Sequence, residues 1–263
     1  MPLIILAILL LVFLYLISPS LRRHPDREVM KGLKIAHRGL HDNNKTVPEN
    51  SLLAARKAID KGYAIENDIH LTRDGEVVVF HDDTALRMCG VDRKIEDMTL
   101  AEIKELRLAG TTHQIPTLKE FLDEVDGAVP ILIEIKCRKN TCNALCDSAN
   151  KILKDYHGKY FIQSFYPFAL LWYRRHRKDV LRGQLSGSFR GHKFYERVLT
   201  YLLYNFISRP DFVSYEIKYS KNFARRLVTI LGAQPVGWCF KSDEDIKKYG
   251  AIYDAHIFED FLP

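Results

Sequence analysis

The chain has 263 residues, a formal net charge of +6 and a hydrophobic share of 47%. That size allows one large domain or two small ones with a substantial core. The charge favours anionic partners such as phosphates or an acidic membrane surface, or reflects only a mildly basic soluble surface. Nucleic acid is not an expected partner. The five cysteines are odd in number and form no CxxC pair, which disfavours a zinc site and leaves free thiols in a reducing compartment.

In chain order, Leu3 to Ile17 is an unbroken apolar run with no charged side chain before Arg22. It reads as a single-pass transmembrane anchor over residues 1–20. A signal peptide fits less well, because no basic residue precedes the run and no small-x-small cleavage site follows it. Arg22, Arg23 and Arg27 place the following domain on the cytoplasmic side of a cell membrane. Residues 21–32 read as a juxtamembrane linker and residues 33–263 as one catalytic domain.

Strand-like and helix-like segments then alternate. Lys34–His37 is a strand, and Pro48-Glu49-Asn50-Ser51 opens a helix that Gly62 stops. Ala64–Leu71 and Glu76–Phe80 are strands around the Arg73-Asp74-Gly75 turn. Capping boxes, Thr99 with Glu102 and Thr117 with Glu120, start two helices. Pro130–Lys136, Tyr160–Phe165, Val180–Leu185, Asp211–Ser214 and Pro235–Phe240 are strands. Asn143–Tyr156, Pro167–His176, Lys193–Ile207, Ser220–Leu231 and Asp243–Lys248 are helices between and after them.

About eight strands with helical crossovers indicate an α/β fold, a (β/α)8 TIM-type barrel preceded by one transmembrane helix. No GxGxxG or GxxxxGK[ST] occurs, which weakens nucleotide-binding alternatives. The step from Ala64–Leu71 to Glu76–Phe80 is too short for a parallel crossover. A hairpin there would set Asp68 opposite His81.

Alternation in a strand puts Glu66 and Asp68 on one face, and Glu134 and Lys136 on another. Charges within apolar strands are costly unless paired or metal-bound. Three carboxylates suit a hard cation, Ca²⁺ or Mg²⁺. His37 and His81 each end an apolar strand, where a barrel builds its active-site mouth, and two histidines can divide acid from base. Arg38 offers a fork for a phosphate oxygen. His70 reads as a supporting group.

Taken in order, His37-Arg38-Gly39, Pro48-Glu49-Asn50-Ser51, Glu66-x-Asp68-x-x-Leu71-Thr72-x-Asp74-Gly75, His81-Asp82 and Glu134-x-Lys136 resemble the glycerophosphodiester phosphodiesterase family over Lys34 to Pro263. The resemblance implies a TIM barrel that hydrolyses glycerophosphodiesters to sn-glycerol 3-phosphate and an alcohol. It implies His37 and His81 as the acid–base pair, and Glu66, Asp68 and Glu134 as ligands of one divalent cation. Arg38 and Lys136 would contact phosphate, Glu49 and Asn50 would brace them, and Ser164 and Trp238 would line the substrate pocket. It also implies attack by the substrate's own glycerol hydroxyl. Ser51, Asn67 and the Asp254-Ala255-His256 start of the last strand depart from the family pattern without removing a catalytic group.

Lysophospholipids are the other substrate class expected. The rivals are a lysophospholipase D-like or phosphatidylinositol phospholipase C-like barrel and a catalytically silent, membrane-tethered lipid-binding module. The segment Gly191–Arg209 carries more apolar side chains than one helix stripe needs, and is expected either to rest on the membrane or to pack as an ordinary barrel helix.

Overall fold

The computed structural model describes residues 1–188 and 194–263. Nine strands form one sheet: β1 (Lys34–Ala36), β2 (Ala64–Leu71), β3 (Val77–Val79), β4 (Ile131–Ile135), β5 (Tyr160–Ser164), β6 (Arg182–Ser186), β7 (Phe212–Glu216), β8 (Gln234–Phe240) and β9 (Ala255–Phe258). Eight are parallel, and pairing of β1 with both β2 and β9 closes them into a barrel. The ninth, β3, is antiparallel to β2 alone. The expected count of eight therefore holds with one exchange: the Glu76–Phe80 segment stands outside the ring, and β9 completes it.

The hairpin is real, with a register one residue from the expected one. Ile69 pairs with Val79, and the Phe80 amide donates to the Asp68 carbonyl at 2.9 Å, so Asp68 faces Phe80 rather than His81. A one-residue slip of this kind reverses which side chains share a face. Both capping boxes are formed, with Thr99 and Thr117 each accepting from the residue three on.

The barrel is packed in two layers. Ile35, Ala64, Leu132, Phe161, Leu181, Phe212, Val236 and Ile257 fill its lower interior. Ile65, Ile69, Ile131, Ile133 and Ile162 face outward to the helices. Residues 21–32 lie against the base of the barrel. Met30 is fully buried among the lower interior residues, and Arg22 pairs with Asp211 at 3.2 Å.

The N-terminal apolar run is a helix, α1 (Pro2–Ile17), of 16 residues. At about 1.5 Å per residue it is about 24 Å long, short of a hydrocarbon core of about 30 Å. Among the described residues no helix is long and apolar enough to cross a membrane, so the expectation of a transmembrane span over residues 1–20 is not met. The lower half of α1 docks on the barrel wall. Phe13 stacks on Phe223 at 5.5 Å, Tyr15 lies 6.0 Å from Phe206, and Asn205 donates to the Ile17 carbonyl at 3.0 Å. Ser20 then bonds to Pro210 at the base. Phe223 opens the helix that follows β7, so α1 descends from the rim side and its exposed residues Leu3–Val12 lie ahead of that contact.

This docking accounts for part of the apolar content of the 194–209 segment, while Phe194, Tyr195 and Tyr201 stay exposed. Instead of one helix over Lys193–Ile207, two short helices form, α2 (Phe194–Thr200) and α3 (Asn205–Ser208). Leu202, at φ +58°, breaks them apart and is itself buried. Val198, Leu199 and Leu202 turn inward, and the α3 segment receives α1. Arg190 to Lys193, where the single helix was expected to begin, lie outside the described residues.

Candidate active site

The C-terminal ends of the parallel strands carry the site, as the barrel architecture requires. Register does most of the assembly: Asp68 pairs with Glu134, and Glu134 with Gln163, placing β2, β4 and β5 side chains at one level. Glu66, Asp68 and Glu134 are all buried, and one oxygen of each lies within 4.8 Å of the others. Lys136 closes the cluster, 2.6 Å from Glu134 Oε1 and 3.2 Å from Asp68 Oδ1.

The opposite wall comes from the loop after β1. Arg38 sits at φ +57° and Gly39 at +78°, a turn that swings the chain across the barrel mouth. A Cβ on Gly39 would stand 2.8 Å from Ala54 Cβ, so glycine is required for both conformation and space. The Arg38 amide donates to Glu66 Oε2 at 3.1 Å. Its guanidinium donates to Glu49 Oε1 at 2.8 Å and lies 3.7 Å from Asp68 Oδ2. Asn50 donates to Asp68 Oδ2 at 2.9 Å, and Ser51 caps the next helix. Glu49 therefore braces Arg38, and Asn50 braces Asp68. Arg87, which the sequence does not single out, adds two hydrogen bonds to Glu49.

The two histidines each have a carboxylate partner. His37 Nδ1 donates to Glu259 Oε2 at 2.5 Å, leaving Nε2 on the site side, 3.9 Å from Glu66 Oε2. His81 Nδ1 donates to Asp82 Oδ1 at 2.6 Å. Such a partner fixes the tautomer and the ring plane. Glu259 is a functional residue that the sequence reading missed, for it lies 222 positions from His37 and meets it only when β9 closes the ring. Cys239 Sγ lies 3.8 Å from His37 Nδ1, and burial pushes its thiol well above the usual range. His70 donates to the His81 carbonyl at 3.2 Å, supporting the loop that carries His81.

Electrostatics favour cation binding. Burial, with the charges of Asp68 and Glu134, raises Glu66 well above an ordinary carboxylate. Burial likewise lifts Glu134 to about 7 against the opposing pull of Lys136. Burial would raise Asp68 too, but Lys136, His81 and Arg38 hold it below its usual range. Among the described residues the three carboxylates face two cations, Arg38 and Lys136, a balance that a proton or a metal would complete. The all-oxygen donor set fits a hard divalent cation. Burial lowers the His81 pKa although Asp68 opposes it, leaving a neutral ring able to accept a proton.

Ser164 and Trp238 are placed differently from the groups above. Ser164 Oγ donates to the Ile135 carbonyl at 2.7 Å and is fully buried, so its hydroxyl is committed to the barrel. It borders a cavity of about 160 Å³ shared with Glu134, Lys136, His70 and Tyr166. Trp238 donates to the Ser186 carbonyl at 2.9 Å and meets Phe165 edge-on at 6.0 Å, forming an apolar rim.

Fold and site together resemble those of a barrel phosphodiesterase: two carboxylate-oriented histidines flank a buried acidic cradle and two phosphate-compatible cations. The model of the glycerophosphoryl diester phosphodiesterase family matches residues 37–247, and the chain belongs to that family. It is 36% identical over 153 residues to a glycerophosphodiester phosphodiesterase of Caldanaerobacter subterraneus, covering 54% of this chain and 61% of that protein. It is 30% identical over 157 residues to a rat lysophospholipase D, covering 55% and 48%. The matched stretches thus span less than two thirds of these relatives' lengths. The crystal structure of a glycerophosphodiester phosphodiesterase from Thermotoga maritima superposes with a TM-score of 0.65 at 27% identity, covering 87% of this chain and 95% of that one.

Proposed function

We propose that this chain hydrolyses glycerophosphodiesters to sn-glycerol 3-phosphate and an alcohol. The observation that carries the proposal is the pairing of His37–Glu259 and His81–Asp82 around the buried Glu66, Asp68 and Glu134. Arg38 and Lys136 neutralise and orient the phosphate oxygens. One histidine accepts the proton of the attacking glycerol hydroxyl while the other donates to the leaving alcohol, giving a cyclic phosphate that water then opens to sn-glycerol 3-phosphate. Glu259 and Asp82 keep each Nδ1 protonated, so that each Nε2 works on the substrate. Glu66, Asp68 and Glu134 would hold one Ca²⁺ or Mg²⁺, which when bound supplies neutralisation of phosphoryl charge and a lowered pKa for a nearby oxygen.

A second substrate class, lysophospholipids, is favoured by the rim-side position of the exposed α1 residues. Leu3–Val12 form ten apolar positions, about 15 Å of helix, which matches one leaflet of a bilayer. Insertion of that stretch would attach the domain to a membrane with its mouth toward lipid. The test is a panel comparing glycerophosphocholine with lysophosphatidylcholine, scoring released sn-glycerol 3-phosphate against released lysophosphatidic acid. Turnover of neither diester by folded protein would refute the proposal.

A further inference from the structure

A second, strongly basic cavity lies at the other end of the barrel. It has a volume of about 560 Å³ and is lined by Arg22, Arg174, Lys178, Arg182 and Arg209 together with residues at the foot of α1. Arg182 opens β6, and Arg209 and Asp211 precede β7, so the cavity belongs to the N-terminal ends of the strands. The catalytic rim is at the opposite ends, which separates this cavity from the substrate site.

Its charges are poorly balanced. Among the described residues no acidic side chain lines it, and the carboxylate in contact with its arginines, Asp211, is shared. Arg22 takes both Asp211 oxygens at 3.2 Å, and Arg182 Nη1 stands 3.5 Å from Oδ2. Arg182 is only 3% exposed, and its Nη1 makes no hydrogen bond. The rest of its fork donates to the Ser208 and Arg209 carbonyls. Burial, reinforced by Arg22 and Arg174 and opposed by Asp211, pushes this guanidinium down to about 10. Arg209 donates to the Tyr15 and Ser18 carbonyls, and Arg174 to that of Ile207. Lys178 is exposed, and its ammonium has no partner among the described residues.

A buried, half-paired guanidinium is expensive unless an anion completes it. Planar forks flanked by a free ammonium suit the several oxygens of a phosphate group. We infer that this basal cavity is a binding site for a phosphate-bearing anion, distinct from the catalytic centre. A soluble phosphomonoester and an anionic lipid head group share the required chemistry.

The test uses the full chain and its Lys178→Glu variant, followed by amide NMR in EDTA. Lys178 is exposed, so the variant folds. Inorganic phosphate is expected to shift the amides of Ser20, Leu21, Arg22 and Val180, with affinity about tenfold weaker in the variant and diester hydrolysis unchanged. A parallel arm compares phosphatidylcholine vesicles with and without phosphatidylglycerol. Variant-sensitive binding to phosphatidylglycerol alone would identify the lipid head group as the occupant. Phosphate shifts confined to the His37 and Lys136 neighbourhood, or vesicle binding indifferent to Lys178→Glu in the absence of basal shifts, would overturn the inference. An Arg182→Lys variant, which keeps the charge but loses the fork, should weaken phosphate binding while unfolding as a cooperative unit.

Discussion

Replacing Glu259 by Gln isolates the role of the carboxylate behind His37. The pair is 2.5 Å apart and each side chain is 16% exposed, so it is largely shielded from water. Burial alone would raise the Glu259 pKa, but the hydrogen bond and charge of His37, with Lys241, hold it well below the usual range. Glu259 is therefore ionised throughout the working pH range. Two charges about 4 Å apart interact by about 4 kcal/mol at an effective dielectric of about 20. Partial exposure reduces that to roughly 2–3 kcal/mol of lost support for a protonated His37. At about 1.4 kcal/mol per factor of ten, kcat falls about 30- to 150-fold. The Gln amide can also donate to Nδ1 and favour the wrong tautomer, which deepens the loss. KM should change by less than about twofold, because Glu259 touches the histidine rather than the substrate. Steady-state hydrolysis of glycerophosphocholine across pH measures both, and Glu259→Asp should recover part of kcat. A Gln variant with kcat within about threefold of the parent would refute the orienting role.

Three further outcomes follow from the geometry. Glu49 is held at about 2 because the hydrogen bonds of Arg87 and the charge of Arg38 outweigh burial, against an ordinary 4.5. Its folded pKa is depressed, so its stabilisation is present above about 4.5 and lost as pH falls toward 2. Glu49→Gln should cost about 2–3 kcal/mol at neutral pH and flatten urea-denaturation stability across that acidic window; an unflattened profile would count against the pairing. Lys136→Met leaves Asp68 and Glu134 without their cation and should cost about 3–5 kcal/mol in EDTA. Excess Ca²⁺ should return about 2–3 kcal/mol of it in thermal unfolding, more than the parent gains, and an equal gain in both would dissociate Lys136 from the cation cradle. Gly39→Ala should destabilise by about 2–3 kcal/mol and depress kcat, because the new methyl meets Ala54 and the φ of +78° is unfavourable; an unchanged unfolding midpoint would show that the turn can relax.

Local chemistry made much of this molecule legible in the sequence. Thr99–Glu102 and Thr117–Glu120 announce their helices because a capping box is a three-residue event. Glu66 and Asp68 announce themselves because two carboxylates in an apolar strand need a reason to be there. Arg38 and Lys136 stand out beside His37 and Glu134, whereas the bracing roles of Glu49 and Asn50 come from the family resemblance. What the sequence hides depends on closure and packing. The strand β9 is four residues long and contains His256, too little pattern to mark a strand by alternation, so that only the family resemblance points to its Asp254-Ala255-His256 start. Glu259 gains meaning only from that closure. The Asp68 register shifts by one because the turn at Arg73–Gly75 sets the hairpin, a detail that composition does not encode. The break at Leu202 and the seating of α1 on α3 are tertiary matters, and they bury Leu202 and cover part of the segment while Phe194, Tyr195 and Tyr201 stay exposed.

The central claim is that His37 and His81 act on a phosphodiester beside a divalent cation held by Glu66, Asp68 and Glu134. The most direct measurement is sn-glycerol 3-phosphate release from glycerophosphocholine by the full chain in EDTA, with Ca²⁺ or Mg²⁺ added back, alongside His37→Ala. The account predicts release that EDTA abolishes, that one of the two ions restores, and that His37→Ala lacks at parental stability. Release that persists undiminished in EDTA, or in folded His37→Ala, would contradict it.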